Sequence, residues 1–290
     1  MSIIILSEFR KAYATVRLVE SFAKLDLPVS VYNPNKFDVI VGKGLALYHK
    51  GQEIDNPKLV LTRTGSGTTD FITSVIKQFE QNNIACINSS TSINLAKDKL
   101  GSSQLFANNG LPIPKTMLVR WPINQELVSN EIGFPCVVKV ITGSHGKGVY
   151  LCKDQDSFAE LMELINSLAS NKSLIIQEYI GHKVGTDLRV WVVGGKVVGA
   201  MQRSSANDFR ANISNGGTGT PYKLTPEIEF ISRETARILD LDIAGIDLLF
   251  DVDGFKVCEA NSAPGFLGFD TYCKDDMAKA VVSYIKFRIS

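Results

Sequence analysis

Lys139 stands inside an otherwise apolar run, Cys136-Val137-Val138-Lys139-Val140-Ile141, and glycines follow it at Gly143, Gly146 and Gly148. A lysine is expensive to bury without an anionic partner, and glycines let backbone N–H groups approach a phosphate closely. Together they suggest a nucleotide phosphate site, although the same residues also suit a glycine-rich hairpin with a solvated edge lysine. The segment is not a P-loop, because Gly-x-x-x-x-Gly-Lys-Ser/Thr occurs nowhere in the chain. Gly65-Ser66-Gly67 likewise lacks the third glycine of a dinucleotide fingerprint.

A second constellation lies in Gly245-Ile246-Asp247-Leu248-Leu249-Phe250, Asp251-Val252-Asp253-Gly254 and Phe255-Lys256-Val257-Cys258-Glu259-Ala260-Asn261. Asp-Gly between two apolar runs is a hairpin signal. A three-residue loop, Val252-Asp253-Gly254 with Gly254 left-handed, pairs Asp251 with Phe255 and sets Asp247 opposite Glu259. Asn261 then shares their face. Two facing carboxylates repel unless a cation or proton lies between them, and an all-oxygen set suits Mg²⁺ bridged to phosphates better than zinc. The competing reading is a solvated pair on an edge hairpin, and a two-residue loop would send the carboxylates to opposite faces.

Other polar residues are less specific alone. Gln177-Glu178-Tyr179-Ile180 ends an apolar run and has either the edge needed to meet an adenine or an ordinary strand end, with Asp187 and Arg189 close behind. Arg203, Arg210 and Asn212 suit carboxylate or phosphoryl oxygens and equally suit a surface. The chain has only three histidines, His49, His145 and His182, none in a recognisable nucleophile constellation, so a hydrolase triad is not expected.

The elements that must position these residues follow from periodicity. Ile3 to Leu6, a helical pattern through Val16, Val19, Phe22 and Ala23, and Val29 to Tyr32 read as β-α-β. Phe37 to Val41 and Leu59 to Leu61 read as strands. Asp70 to Asn82 reads as a helix with Phe71, Val75, Ile76 and Phe79 on its apolar stripe. Residues 1–93 thus form a small, parallel α/β unit. A helix from Ile93 to Asn108 opens a second unit, 94–175, which holds the Cys136 and Val149 strands and a helix from Phe158 to Leu168. The third, 176–290, is α+β, with strands around Leu188, Lys196, Ile243 and Phe255 and a helix from Pro226 to Leu239. At 290 residues, 44% apolar and 21% charged, the chain is long and apolar enough for about two ordinary domains, not a disordered or fibrous protein. Thirty-one basic against 30 acidic residues leave +1, giving no global field for nucleic acid or an anionic membrane. No run approaches the length of a membrane span and no secretory signal is evident, so the expected address is the cytoplasm. Five dispersed cysteines read as buried free thiols.

Taken in order, Lys97-Asp98-Lys99, Val138-Lys139 with its glycines, Gln177 to Ile180, Asp187-Leu188-Arg189, Asp208-Phe209-Arg210-Ala211-Asn212, Gly245-Ile246-Asp247 and Glu259-Ala260-Asn261-Ser262-Ala263-Pro264-Gly265-Phe266 resemble an ATP-grasp ligase of the RimK-like family. Thr62-Arg63-Thr64-Gly65 and Ile87-Asn88 extend the resemblance to the first ninety residues. It implies an ATP-grasp fold behind an N-terminal pre-ATP-grasp domain. ATP would be held by Lys99 and Lys139 at its phosphates, by Gly143, Gly146 and Gly148 as a lid, by Glu178, Tyr179 and Ile180 at adenine, by Asp187 at ribose, and by Arg210, Ala211 and Asn212. Asp247, Glu259 and Asn261 would carry Mg²⁺ or Mn²⁺, two ions in all. Arg203, Arg210 and Lys139 would stabilise phosphoryl transfer, and Arg63, Asn88 and Arg189 would meet substrate. The implied reaction activates a carboxylate as an acylphosphate, which an amine attacks to give an amide. Glutamate is the leading amine, and the acceptor is a peptide, protein or small acid; a homo-oligomer is a further family expectation. Gln202 replaces an arginine of the ribosomal-protein ligases, and the Val257–Asn261 stretch with Gly268-Phe269-Asp270 is closer to N-acetylaspartyl-glutamate synthetases. A catalytically silent ATP-binding module of the same fold is the alternative function.

Overall fold

A computed structural model of the chain describes all residues except 1, 43, 66, 141–147, 170–172, 207 and 212–215. The first unit is a four-stranded parallel sheet, in the order β2 (Val29–Tyr32), β1 (Ile3–Leu6), β6 (Leu59–Thr62) and β7 (Ala85–Ile87). Every residue of β1 and β6 is buried, as a parallel strand covered on both faces requires. Leu18 and Phe22 of α1 (Tyr13–Ala23) pack with Ile3 and Ile5 on one face. On the other, Ile72, Val75, Ile76 and Phe79 of α2 (Asp70–Gln81) pack with Ile4, Leu6 and Val60.

Two sequence expectations change here. Phe71 is 48% exposed, and Ile72 takes its place because residues 72, 75, 76 and 79 complete the i, i+3, i+4, i+7 set. The Phe37–Val41 strand, β3, leaves the parallel sheet and forms a separate antiparallel sheet with β4 (Leu45–His49) and β5 (Gln52–Glu53).

The single helix expected from Ile93 to Asn108 is two, α3 (Ser90–Lys97) and α4 (Lys99–Asn108). Asp98 makes the break: its extended backbone ends α3, and its carboxylate accepts the Gly101 N–H at 2.9 Å to cap α4. The central sheet is antiparallel, in the order β10 (Val149–Cys152), β9 (Cys136–Val140), β11 (Leu174–Glu178) and β8 (Thr116–Val119). Its core is closed by Val128 of α5 (Gln125–Glu131) and by Phe158 and Met162 of α6 (Gln155–Ala169). β11 contains the boundary expected from the sequence between the second and third units, at 175. Its partners are β8 and β9 through residue 178, so that boundary would cut a central-sheet strand.

The last unit is a five-stranded antiparallel sheet, in the order β14 (Thr218–Pro221), β13 (Lys196–Ser204), β12 (Thr186–Val193), β15 (Ile243–Asp251) and β16 (Gly254–Asn261). Strand alternation gives it two chemically different faces. Leu188, Val190, Ala244, Ile246, Leu248 and Val257 point to α7 (Pro226–Ile238), whose Ile228 and Ile231 complete that core. On the opposite face, Trp191 and Met201 join Phe266, the β1–β6 sheet and α8 (Met277–Ile289) in one core. The N-terminal unit is therefore fused to the C-terminal sheet through shared apolar packing. No described helix is long and apolar enough to cross a membrane.

Candidate functional site

Beyond Trp191 the same sheet face turns polar. Cross-strand register aligns Arg189 with Asp247 and Asp247 with Glu259, while Gly245 faces Asn261 and Asp187 faces Arg203. The Asp247–Glu259 pairing agrees with the sequence expectation, but the expected loop is incorrect. Asp251 pairs with Gly254, leaving a two-residue turn at Val252-Asp253, which alone would put the two carboxylates out of phase. A bulge restores it: Leu248 pairs with Val257 and Asp247 with Glu259, so Cys258 is the extra residue. Gly254 takes φ +125°, not the left-handed helical value expected.

Four charges on this face neutralise one another. Arg203 donates to both oxygens of Asp187 at 2.6 Å and approaches Asp247 Oδ2 at 3.0 Å. Arg189 donates to Asp247 from Nε and, at 2.7 Å, from Nη2. The side chains are 6% exposed at Arg203, 13% at Asp187 and 5% at Asp247, so neither carboxylate could remain ionised there without the guanidinium forks. Burial raises the Asp187 carboxyl above its ordinary range, against Arg203. Burial pushes Asp247 the same way, but Arg189 and Arg203 overcome it and hold that carboxyl low. The guanidinium of Arg203 is raised despite desolvation, by Asp247 and Asp187.

In this arrangement three expected site residues find partners within the sheet. Asp187, expected at ribose, engages Arg203; Arg203, expected at the phosphoryl group, is buried; and Arg189, expected at substrate, pairs with Asp247. Opposite charges at cross-strand positions are the physical reason, and period two in β12, β13 and β15 was the signal that could have revealed it.

Facing this sheet across a cleft are the central sheet and the start of α4; Lys99, Thr116, Lys139, Gln177, Cys258 and Glu259 line the opening. Thus two cations from different elements share the cleft with one carboxylate of the C-terminal sheet. Lys139 Nζ donates to Gln177 Oε1 at 2.6 Å, and Gln177 Nε2 donates to Thr116 at 2.8 Å, which fixes the lysine along the strand pair. Burial pushes the Cys258 thiol up to about 11, with Lys139 acting against it. At the cleft's end, Glu178 Oε1 accepts the Lys115 N–H at 2.8 Å and Lys256 Nζ at 2.6 Å, tying the two sheets together. Tyr179 and Ile180 follow directly, half-buried, with the Tyr179 ring edge-on to Phe209 at 6.4 Å.

The other expected residues divide. Asn88 is 1% exposed; its amide accepts Ile243 N–H at 2.9 Å and donates to Ile243 and Ser262 carbonyls at 2.7 and 2.8 Å. It is a clamp between the N- and C-terminal units, and both its N–H donors are engaged there. Arg210 pairs with Asp208 at 2.6 Å, and Ala211 is buried. Gly148 has φ +75° at the start of the returning strand. Gly143, Gly146 and Asn212 lie outside the described residues. Arg63 donates to the Pro264 carbonyl at 2.7 Å and lies over Phe266.

The expected cation ligands fit a hard ion in kind, being all oxygen donors. Asn261 Nδ2 donates to Glu259 Oε1 at 3.4 Å and to the Gly245 carbonyl at 3.3 Å, so the two side chains lie side by side. Asp247 is beside them but fully engaged by arginine.

Family models match both parts of the chain: a RimK PreATP-grasp domain over residues 1–93 and a RimK-like ATP-grasp domain over 96–285. Proteins named probable alpha-L-glutamate ligase are similar throughout. That of Thioalkalivibrio sulfidiphilus is 34% identical, covering 99% of this chain and 95% of its own, and that of Aeromonas salmonicida is 33% identical, covering 100% and 98%. Among solved structures, the ATP-grasp ligase PsnB with a precursor variant, Mg and ADP superposes with TM-score 0.78 at 19% identity, over 100% of this chain and 98% of that one. A RimK domain ATP-grasp protein of Sphaerobacter thermophilus gives 0.76 at 18%, over 98% and 99%. These likenesses show the ATP-grasp fold, and with the full-length relatives they establish that the chain belongs to the RimK-like ATP-grasp family of ATP-dependent carbon–nitrogen ligases.

Proposed function

We propose that this ligase uses ATP to activate an acceptor carboxylate as an acylphosphate and joins it to the amine of an α-amino acid, with glutamate the first choice, releasing ADP and phosphate. The observation that carries the reading is the cleft, where Lys99 and Lys139 face Glu259 from separate elements. Phosphoryl transfer needs charge neutralised on the phosphate oxygens and the acceptor aligned with them; no side-chain nucleophile is required. In this reading Lys99 and Lys139 bind phosphates, with Gly143, Gly146 and Gly148 over them, and the backbone from Glu178 to Ile180 meets adenine. Arg210, Ala211 and Asn212 complete the nucleotide side. Glu259 and Asn261, with Asp247 after exchange of an arginine, would hold Mg²⁺, which supplies charge neutralisation on the phosphates. Arg203 and Arg189 act as positioning residues that keep Asp247 ionised and oriented. The working units are then 1–93, 94–178 and 179–290.

The names of the full-length relatives support glutamate as the amine, and the precursor peptides in solved neighbours support a peptide among the acceptors. The test is ADP release with Mg²⁺ and ATP across amino acids and acceptors, namely peptides, proteins and small acids, with mass spectrometry of each reaction. A product equal to acceptor plus glutamate minus water is expected. ATP that binds but is never consumed across the panel would instead favour a silent nucleotide-binding module.

A further inference from the structure

Arg63 is unlike the other arginines of the site. Arg189, Arg203 and Arg210 each pair with a carboxylate, whereas Arg63 has no acidic partner among the described residues. It is nonetheless deep in the protein, where burial alone pushes it down to about 10, so it remains a cation at neutral pH. Of the five N–H donors in a guanidinium, one is used among the described residues, by the Pro264 carbonyl at 2.7 Å. The plane is held 5.1 Å over the Phe266 ring, and the side chain keeps partial contact with solvent. A charged fork that is oriented, largely desolvated and uncompensated suits an anion with two oxygens.

Its place in the fold points the same way. Arg63 follows β6 directly, at the carboxyl end of a parallel strand, where open α/β sheets receive ligands. Pro264, its partner, comes three residues after Asn261. A Cβ on Gly245 would touch both Pro264, at 2.7 Å, and Arg189 Cδ, at 3.2 Å, so Arg63 borders the polar sheet face at the Gly245–Asn261 rung. Lys99 and Lys139 line the cleft together with Glu259, and Arg63 is not among the residues that line it.

We propose that Arg63 is the receptor for a spectator carboxylate of the incoming amino acid, the carboxylate that takes no part in the new amide bond. This rests on the ligase reading above. The carboxylate to be activated must sit among the phosphate-binding cations; a second one, on the amine substrate, has to be held apart from them, and Arg63 is the arginine of the site with no acidic partner among the described residues. The contact is a bidentate pair formed only with substrate, so it sets which amines are accepted.

The test compares glutamate with its α-carboxamide (isoglutamine) and its γ-carboxamide (glutamine), following amide product with the acceptor that the panel identifies. Wild-type protein should discriminate against one of the two amides by on the order of 100-fold, chiefly in KM. In Arg63→Gln that preference should collapse to within a few-fold, while the KM for ATP and the thermal midpoint stay near wild type. Arg63→Lys keeps the charge without the fork and should give an intermediate preference, which also serves if Arg63→Gln folds poorly. A glutamate ligase whose two variants discriminate like wild type, or lose all three amines equally, would overturn the assignment while leaving the ligase reading intact. Wild-type protein that forms no amide with any amino acid would overturn both.

Discussion

Replacing Arg203 with methionine gives the sharpest test of the buried charge network. Methionine retains most of the aliphatic volume but removes two 2.6 Å hydrogen bonds to Asp187 and a 3.0 Å contact to Asp247. Asp187 is then left 13% exposed with no bidentate partner, while Asp247 still has Arg189. Removing one partner of a buried pair costs about 3–5 kcal/mol. With an unfolding entropy of about 0.6 kcal/mol/K for 290 residues, that is a fall in Tm of about 5–8 °C near pH 7.5. Burial already raises the Asp187 carboxyl in the native protein, and losing Arg203 raises it further. An acid whose native pKa lies above its unfolded value destabilises as pH rises through that interval. The variant's deficit should therefore shrink towards pH 5 and be partly relieved by Asp187→Asn in the same chain. Calorimetry at pH 5 and 7.5 reads both effects. A Tm loss under about 2 °C, or a loss equal at the two pH values, would refute the reasoning.

Asn88→Ala would strand the Ile243 N–H and two carbonyls between the units, so denaturant titration should show a loss of about 3 kcal/mol; a change below about 1 kcal/mol would remove Asn88 as the clamp. Lys139→Ala should weaken ATP binding at least about tenfold by calorimetric titration, and an unchanged Kd would exclude a phosphate contact. Glu259→Gln should abolish Mg²⁺-dependent ADP formation while keeping the circular dichroism spectrum of the wild type; undiminished turnover would remove Glu259 from the cation site. With its thiol pushed up to about 11, Cys258 should alkylate about a hundredfold more slowly at pH 8 than an ordinary thiol, at a rate that climbs tenfold per pH unit. ATP with Mg²⁺ should slow it further, because Cys258 lines the cleft; peptide mapping that finds it labelled as fast as free cysteine would contradict the burial argument.

The fold was largely legible because long periodic segments carry it. β1, β6, α2 and α7 follow from apolar spacing alone, and the glycine-flanked Lys139 run gave the β9–β10 hairpin. What failed was local phase. One step along α2 separates Phe71 from Ile72, and no periodicity predicts that Asp98 would use its carboxylate to start a new helix. The Asp247–Glu259 pairing was reached through the wrong loop, since a bulge at Cys258 offsets a shorter turn, and bulges leave little sequence signal. The residues of the site were visible as types, but their partners were not. Asp187, Arg189, Arg203 and Asp247 lie at positions whose cross-strand neighbours depend on a register across three strands, so their pairing with one another is not legible from the sequence.

The central claim is an amide formed through an acylphosphate, and the transfer of oxygen tests it most directly. With ¹⁸O in the acceptor's carboxylate, turnover with Mg²⁺, ATP and glutamate should deliver one ¹⁸O to each phosphate released, with amide product and ADP in equal amounts. Phosphate that carries no label while amide forms would contradict the account.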